Sequence, residues 1–550
     1  MKISLAYAAA LLSSVSAVSY TPVKGDCPST PLLRQPKGLQ ADEAAYMSAR
    51  HNKTKPALRD FLKKQNIGSF DVDAFLDKAH PKIAIAAAGG GLRATFTGLG
   101  TLQALDNRTE NSTLAGYLQA ADYMSGLSGG SWLIGYSAIN NYPDFATLFE
   151  AFDNIANLPG SMGTLGMLAK VLVDSLNKLK AGHQTSVTDQ WGRLIYLLLG
   201  NAGLLKEDFN WSGIRNLTSF TDHEMPFPII LGTSVFPGTS FDANFITFNN
   251  SVIEMTPYEF GTWDKNIHEF IDIQYLGTEM EDGKPVGQCT TNFDNAGFLM
   301  GVSSNVFNQD LEVFGIEGIF SILVEDVMKL LEIINDANYR LGVVSPNPFY
   351  KQDDLPSNQT ISRGLMVCDG GFDLETIPIL PFLQPEREVD VVISMDPSLD
   401  SPEGWPTAEC IRNTEKKSNW EFGEGVFPQI PDNLTFIDKN LSTRPTFFGC
   451  NIDSLKTYDN SDRYSPVVVY VPMHNITYES NFSTGKLVYT KEESWGTVNN
   501  AYNMMTRSNL TEDADWGKCL GCVSILRELQ RLNETIPGDC QSCFDHYCYN

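Results

Sequence analysis

Lys82-Ile83-Ala84-Ile85-Ala86-Ala87-Ala88, followed at once by Gly89-Gly90-Gly91-Leu92-Arg93-Ala94-Thr95-Phe96, is the stretch on which the reading of the fold turns. A short apolar run that stops at glycines and resumes as helix-compatible residues reads as strand, glycine turn and helix, the repeating unit of an α/β sheet. Gly89, Gly91 and Ala94 also satisfy the form of a dinucleotide-binding pattern. The acidic residue that such a site needs about 20 residues further on falls in Asp106-Asn107-Arg108-Thr109-Glu110-Asn111, a polar loop and not the end of a second strand. What the glycines offer is main-chain N–H groups at a helix N-terminus, suited to an oxyanion. The plainer alternative is a tight turn.

Working outward, Tyr123-Met124-Ser125-Gly126-Leu127-Ser128-Gly129-Gly130-Ser131-Trp132 contains Gly126-x-Ser128-x-Gly130, the nucleophile-elbow pattern. Glycines on both sides of a serine permit the strained strand-to-helix turn that presents its hydroxyl. Five residues of this kind arise often by chance; paired with an oxyanion-type glycine turn upstream, they become specific. A third glycine turn closes Gly364-Leu365-Met366-Val367-Cys368-Asp369-Gly370-Gly371, where an apolar strand delivers Asp369, and a further strand follows from Val389 to Met395. Open α/β sheets gather their sites at one edge, so Asp369 is expected beside Ser128.

The rest of the chain bounds the setting. Of 550 residues, 42% are hydrophobic and 19% charged, and no linker or low-complexity run divides the sequence. This predicts one large globular domain with insertions. Residues 1–17, with Lys2 before the apolar run Ile3 to Leu12 and Val15-Ser16-Ala17 at its end, read as a signal peptide; the remainder, 18–550, is the mature chain. Nothing later is long and apolar enough to span a bilayer. No hydrophobic tail of the GPI type follows Phe544. Asn52, Asn107, Asn111, Asn210, Asn216, Asn249, Asn358, Asn433, Asn440, Asn475, Asn481, Asn509 and Asn533 are glycosylation acceptors by pattern. The expectation is a secreted glycoprotein. The net charge of −26, which becomes −27 without Lys2, disfavours nucleic acid as a partner. It also disfavours anionic bilayers at neutral pH. Ten cysteines, five of them between Cys519 and Cys548, point to a disulfide-rich C-terminal segment of undetermined pairing. Cys519-x-x-Cys522 with Cys540-x-x-Cys543 also fits zinc, a reading that an oxidising compartment disfavours.

Gly89-Gly90-Gly91-Leu92-Arg93-Ala94, Gly126-Leu127-Ser128-Gly129-Gly130-Ser131-Trp132, Asp369-Gly370-Gly371 and the ending Cys540-Gln541-Ser542-Cys543-Phe544-Asp545 together resemble the fungal lysophospholipase, or phospholipase B, family. That family is related to cytosolic phospholipases and more distantly to patatins, and the resemblance covers nearly all of the mature chain. It implies a three-layer α/β hydrolase-like fold with a central, mostly parallel sheet and long helical insertions. It implies a catalytic dyad of Ser128 and Asp369, an oxyanion hole from Gly90 and Gly91, and Arg93 facing the substrate phosphate. Phospholipids and lysophospholipids at micelle or membrane surfaces are the implied substrates, and no metal or cofactor is implied for the chemical step. Arg93 has a plain alternative as a solvated or ion-paired arginine in a first helical turn.

The residues also permit a rival. Ser, Asp, His is the chain order of ordinary α/β-hydrolases, and His474 follows the strand Pro466 to Met473. His546 is the one other histidine after Asp369. A triad carboxylesterase or lipase and a non-catalytic lipid-binding glycoprotein therefore stand as alternatives. Leu165 to Leu179 and Ile316 to Ile334 place apolar residues at helical spacing and are candidates to cover an acyl groove.

Overall fold

The computed structural model describes residues 20–156, 162–201, 208–237, 249–306, 341–351 and 359–549. The expected signal peptide, the expected acceptor Asn358 and the helix expected over Ile316 to Ile334 lie outside the described residues. The sheet strands are β1 (Leu33–Arg34), β2 (Ile83–Ala87), β3 (Ala121–Gly126), β4 (Phe227–Val235), β5 (Val252–Met255), β6 (Glu259–Thr262), β7 (Glu269–Asp272), β8 (Gly342–Val344), β9 (Leu365–Cys368), β10 (Val391–Asp396), β11 (Thr446–Phe448), β12 (Val467–Pro472) and β13 (Cys548–Tyr549). They form one sheet in the order β13-β11-β12-β10-β2-β3-β4-β5-β6-β7-β1, with β9 and then β8 added alongside β4.

Its middle is the part the sequence wrote most plainly. Ile-Ala-Ile-Ala-Ala in β2, Val-Val-Ile-Ser-Met-Asp in β10 and Val-Val-Val-Tyr-Val-Pro in β12 are runs without alternation, as strands covered on both faces must be. Each residue of β2, β3, β4, β10 and β12 is buried, and these five strands run parallel. Antiparallel strands extend the sheet from β5 to β7 on one side, and β11 pairs antiparallel with β12 on the other.

The helices that concern the site are α1 (Ala41–Gln65), α2 (Gly91–Leu105), α3 (Gly129–Ile139), α4 (Phe145–Ala156), α5 (Met162–Lys180), α6 (Val187–Asn201), α7 (Ala296–Ser303), α8 (Glu409–Phe422), α9 (Lys491–Leu510), α10 (Trp516–Arg531) and α11 (Gly538–Tyr547). α2 packs against α3, α4 and α9, while α1 packs on α10. α5, which includes the span from Leu165 to Leu179, is tied to α6 by buried ion pairs of Lys178 with Asp189 and Arg193 with Asp174. A second buried set joins distant elements. Arg387 donates to Glu43 at the start of α1 (2.9 Å) and bidentately to Glu254 in β5 (2.9 and 2.7 Å).

The cysteine-rich end closes as a helical hairpin, with Cys519–Cys543 and Cys522–Cys540 bridging α10 to α11. The spacing that also suited zinc is thus used for two nested disulfides. Cys450–Cys548 fastens β13, and Cys27–Cys289 ties the N-terminal segment to the body. An even count did not mean complete pairing: Cys368 and Cys410 are buried thiols.

Candidate active site

β2 ends at Ala87, and the chain turns through Gly89 to Gly91 into α2. Gly90 and Gly91 have φ of 131° and 63°, backbone conformations that only glycine adopts without strain. The first N–H groups of α2 have no partner within the helix and point out from its positive end. The next strand, β3, ends at Gly126, and Ser128 then forms the sharp turn into α3 with φ 53° and ψ −123°. A side chain held there carries about 1–3 kcal/mol of strain, the cost of presenting its hydroxyl beyond the sheet edge. Gly129 lies so close to the peptide of Gly91 that any Cβ would collide with its carbonyl oxygen. Two helix N-termini therefore abut, with Ser128 at one and the glycine turn at the other.

Asp369 reaches this point by a route the sequence did not disclose. β3 pairs with residues 227–230 of β4, and β9 pairs with residues 233–235. Ile230 and Thr233 both meet β5 on the opposite edge, so β9 takes over the same edge where β3 leaves it. β9 runs antiparallel to β4 and β3 parallel to it, and their C-terminal ends meet head to head. Cys368-Asp369 thus converges on Leu127-Ser128. The hydroxyl of Ser128 donates to the carboxylate of Asp369, which also accepts from the Gly371 N–H at 2.8 Å. Burial drives the Asp369 carboxyl up to about 7 against the lowering effect of both hydrogen bonds.

A short segment after α7 holds both residues. The Ser128 N–H donates to the Ser303 carbonyl (3.0 Å) and hydroxyl (3.2 Å), and the Asp369 N–H donates to the Asn305 carbonyl (3.3 Å). Trp191 of α6 donates its indole N–H to Ser304 (3.2 Å to the carbonyl, 3.1 Å to the hydroxyl). Thr376, seven residues after Asp369, accepts the N–H of Gly89 at 2.8 Å. None of Ser303, Asn305, Trp191 or Thr376 carries a local motif that could have singled it out.

Arg93 is neither solvated nor ion-paired. It is 2% exposed, and it donates to the carbonyls of Pro397 (2.9 Å) and Phe482 (2.5 Å) and to Thr484 Oγ1 (3.1 Å). Its Nη2 would lie 2.5 Å from a Cβ at Gly90, so this amino group flanks the glycine turn. Burial lowers its pKa to about 10, which leaves it charged at neutral pH. Its hydrogen bonds go to neutral oxygens.

His474 is not brought to Ser128. Its Nδ1 is 2.9 Å from the Pro472 carbonyl, its main-chain N–H meets Met504, and its charged surroundings are Arg507 and Glu512. β12, which precedes it, stands three strand spacings from β3, roughly 14 Å. His546 is on the exposed tail, 4.0 Å from Asp513.

Beside the two helix N-termini lies an apolar cleft, partly open to solvent, lined by Leu92, Trp132, Phe152, Trp191, Ile195, Leu198, Leu199 and Leu487. Leu92 is the residue after Gly91, and Trp132 is one helical turn beyond Ser128. The α6 contribution, Trp191, Ile195, Leu198 and Leu199, follows helical spacing. That signal was present in the sequence, and α4 adds Phe152 to the same wall.

The Lysophospholipase catalytic domain model matches residues 83–550. The chain belongs to the lysophospholipase family. Lysophospholipase 3 of Candida albicans is 37% identical over 96% of this chain and 74% of its own length. Lysophospholipase 2 of Aspergillus fumigatus is 37% identical over 96% of this chain and 93% of its own. Membership makes the protein a hydrolase. Among solved structures, human GIVD cytosolic phospholipase A2 superposes with a TM-score of 0.69 at 18% identity, covering 92% of this chain and 72% of that one. At that identity the likeness establishes the α/β fold that family and phospholipase share.

Proposed function

We propose that the protein is a secreted lysophospholipase and phospholipase B that hydrolyses fatty acyl esters of lysophospholipids and diacylphospholipids through a Ser128–Asp369 dyad. The observation that carries this reading is the hydrogen bond from a strained, buried serine hydroxyl to a buried carboxylate whose pKa lies near neutrality. As Ser128 Oγ attacks the ester carbonyl, its proton passes to Asp369. The charge on the carbonyl oxygen is received by the N–H groups of Gly90 and Gly91. Collapse breaks the ester C–O bond, and the leaving alkoxide takes the proton from Asp369. Water then yields a proton to Asp369, attacks the acyl-enzyme and releases the fatty acid, and the proton returns to Ser128. Arg93 Nη2 stands where the phosphate of a bound lipid neutralises its charge. The cleft from Leu92 to Trp132 receives the acyl chain.

Secretion and glycosylation are supported by four disulfides and by the acceptors themselves. Nine described acceptor asparagines are exposed, and Asn210, Asn433 and Asn481 are half-buried. We read 18–550 as one catalytic domain after a signal peptide of 1–17, because one cluster of buried apolar side chains runs from Tyr20 to Tyr547. A triad through His474 is disfavoured by the histidine's own partners. The test is fatty-acid release from matched lyso, diacyl and triacyl substrates by the wild type and Ser128→Ala. Ser128→Ala should fold and lose release entirely, and substantial turnover by clean mutant protein refutes the nucleophile.

A further inference from the structure

The surface next to the acyl cleft is apolar and exposed among the described residues. Trp495 is 46% exposed and Val488 57% exposed, although both side chains are of types that fold inward where they can. Trp495 packs edge-on against Phe149 at 5.1 Å and lies 6.2 Å from Phe145, which stacks on Phe149 at 6.0 Å. Both phenylalanines are half-buried. The patch is rigidly mounted. Thr490 and Glu493 form a reciprocal capping box at the start of α9, and Ser494 donates to Asp153, which joins that first turn to α4.

The patch also continues into the cleft from both of its halves. Phe152, in the cleft wall, follows Phe149 by three residues on the same face of α4, and Leu487, also in the wall, precedes Val488. A long acyl chain that leaves the cleft past Phe152 or Leu487 therefore crosses this patch.

We propose that Phe145, Phe149, Val488 and Trp495 are the surface by which the protein seats itself on a zwitterionic lipid aggregate, so that an acyl chain passes into the cleft without crossing water. This rests on the phospholipase reading of the site. Tryptophan with neighbouring aromatic and aliphatic side chains suits the headgroup boundary, where one end of the indole is wet and the rest apolar. Charge selects the kind of surface. Exposed Asp144, Glu150 and Glu492 lie near Phe145, Phe149 and Trp495 in sequence against one exposed lysine, Lys491, Lys486 being paired with Glu493, and the chain carries −26 overall. Anionic membranes are repelled, and cationic choline headgroups are complementary.

The experiment compares wild type with Val488→Asp and with Trp495→Ala/Val488→Asp. Val488→Asp alone changes an exposed position and leaves the core intact. Flotation with phosphatidylcholine vesicles and turnover of micellar lysophosphatidylcholine should both fall about tenfold in the double variant and several-fold in Val488→Asp. Hydrolysis of a water-soluble short-chain ester should be unchanged in both. Wild type should bind vesicles of phosphatidylcholine better than vesicles rich in phosphatidylserine. Vesicle binding that survives both variants overturns the proposal. So does a patch that proves to hold a second copy, seen as a wild-type dimer that Val488→Asp dissociates with no change in flotation. Equal loss on the soluble ester in Val488→Asp overturns it as well. A wild type that floats with vesicles but releases no acid from any ester would sink the site reading and leave the docking surface standing.

Discussion

Asp369 carries the chemistry that is most open to test. An amide cannot take the serine proton, so Asp369→Asn should lose at least about a thousandfold in kcat/KM, equivalent to about 4 kcal/mol of transition-state stabilisation. His474→Ala should retain most activity, because its imidazole bonds Pro472 and not the site. Loss of turnover in folded His474→Ala protein would restore the triad. Activity below about pH 5 would favour a carboxylate base over a histidine of pKa near 6.5 if that carboxyl titrated as a free aspartate. With Asp369 raised to about 7, the two bases titrate together and acid activity no longer separates them. A base must be deprotonated to act. The acid limb of kcat/KM should therefore fall as pH drops through about 7, and the His474 substitution has to decide between mechanisms.

Arg93 makes a different residue-scale prediction. Its Nε and Nη1 are committed to Pro397, Phe482 and Thr484, so the proposed contact with the substrate phosphate falls to Nη2. Arg93→Lys keeps charge but cannot reproduce this fork. Turnover of lysophosphatidylcholine should fall roughly tenfold or more, with a much smaller effect on an uncharged soluble ester. Equal losses on the two substrates would assign Arg93 to the packing of α2 alone.

At the scale of elements, the meeting of β9 with β3 and the segment Ser303 to Asn305 decide the spacing of Ser128 and Asp369. Trp191 belongs to both the cleft wall and that segment. Trp191→Phe keeps an aromatic ring in the wall and removes the donor to Ser304. The expected result is a kcat lowered roughly three- to tenfold, about 0.7–1.4 kcal/mol, with KM for a long-chain substrate nearly constant. A change confined to KM would limit Trp191 to substrate binding. The buried Arg387 set joins α1, β5 and the turn before β10. Truncating it leaves Glu43 and Glu254 buried without their cation, and Arg387→Ala should cost about 3–5 kcal/mol in denaturant unfolding.

At the scale of the whole molecule, buried acids set how stability depends on pH. Burial raises Asp122 and Asp400 to about 6, Glu259 and Glu421 to about 7 and Glu375 to about 8. A carboxyl whose folded pKa exceeds its unfolded value binds more protons when folded, so its contribution grows as pH falls through the folded pKa and is complete below the unfolded one. His51, His80, His183, His223 and His474, each lowered by burial, oppose this. The ring centroids of His51 and His80 lie 3.2 Å apart with the planes tilted by 45°, and burial lowers His80 to about 3 and His183 to about 4, so the unfolded chain gains protons first as pH falls below about 6.5. Burial also raises Asp174, Asp294, Asp369, Asp390, Asp396 and Glu415, so the acids outnumber the histidines, and acid also relieves a net charge of −26. Tm should rise from pH 8 toward about pH 5. A monotonic decline over that range would contradict the buried acids.

How much of this was written in the chain differs from residue to residue. Ile83 to Ala87 could be read as a fully buried strand because its period is uninterrupted, and Gly90-Gly91 and Gly126-x-Ser128 could be read as turns because glycine next to a strand end has a local conformational cause. Asp369 could be suspected from the same logic, but its arrival along the edge of β4 depends on pairing between segments 130 residues or more apart, which no local pattern encodes. Ser303, Asn305 and Trp191 were invisible for a related reason, since main-chain acceptors and a single indole N–H acquire meaning only once other strands are in place. Local sequence determined which residues could do chemistry: the strands, the glycine turns, the serine, the acid and the histidine rival. The tertiary structure alone decided which of those candidates meet, that four of the five tail cysteines pair with each other while Cys548 pairs with Cys450, that Arg93 is bonded to carbonyls and that α6 walls the cleft. Each of these is a contact between distant segments, fixed by the packing of the sheet as a whole.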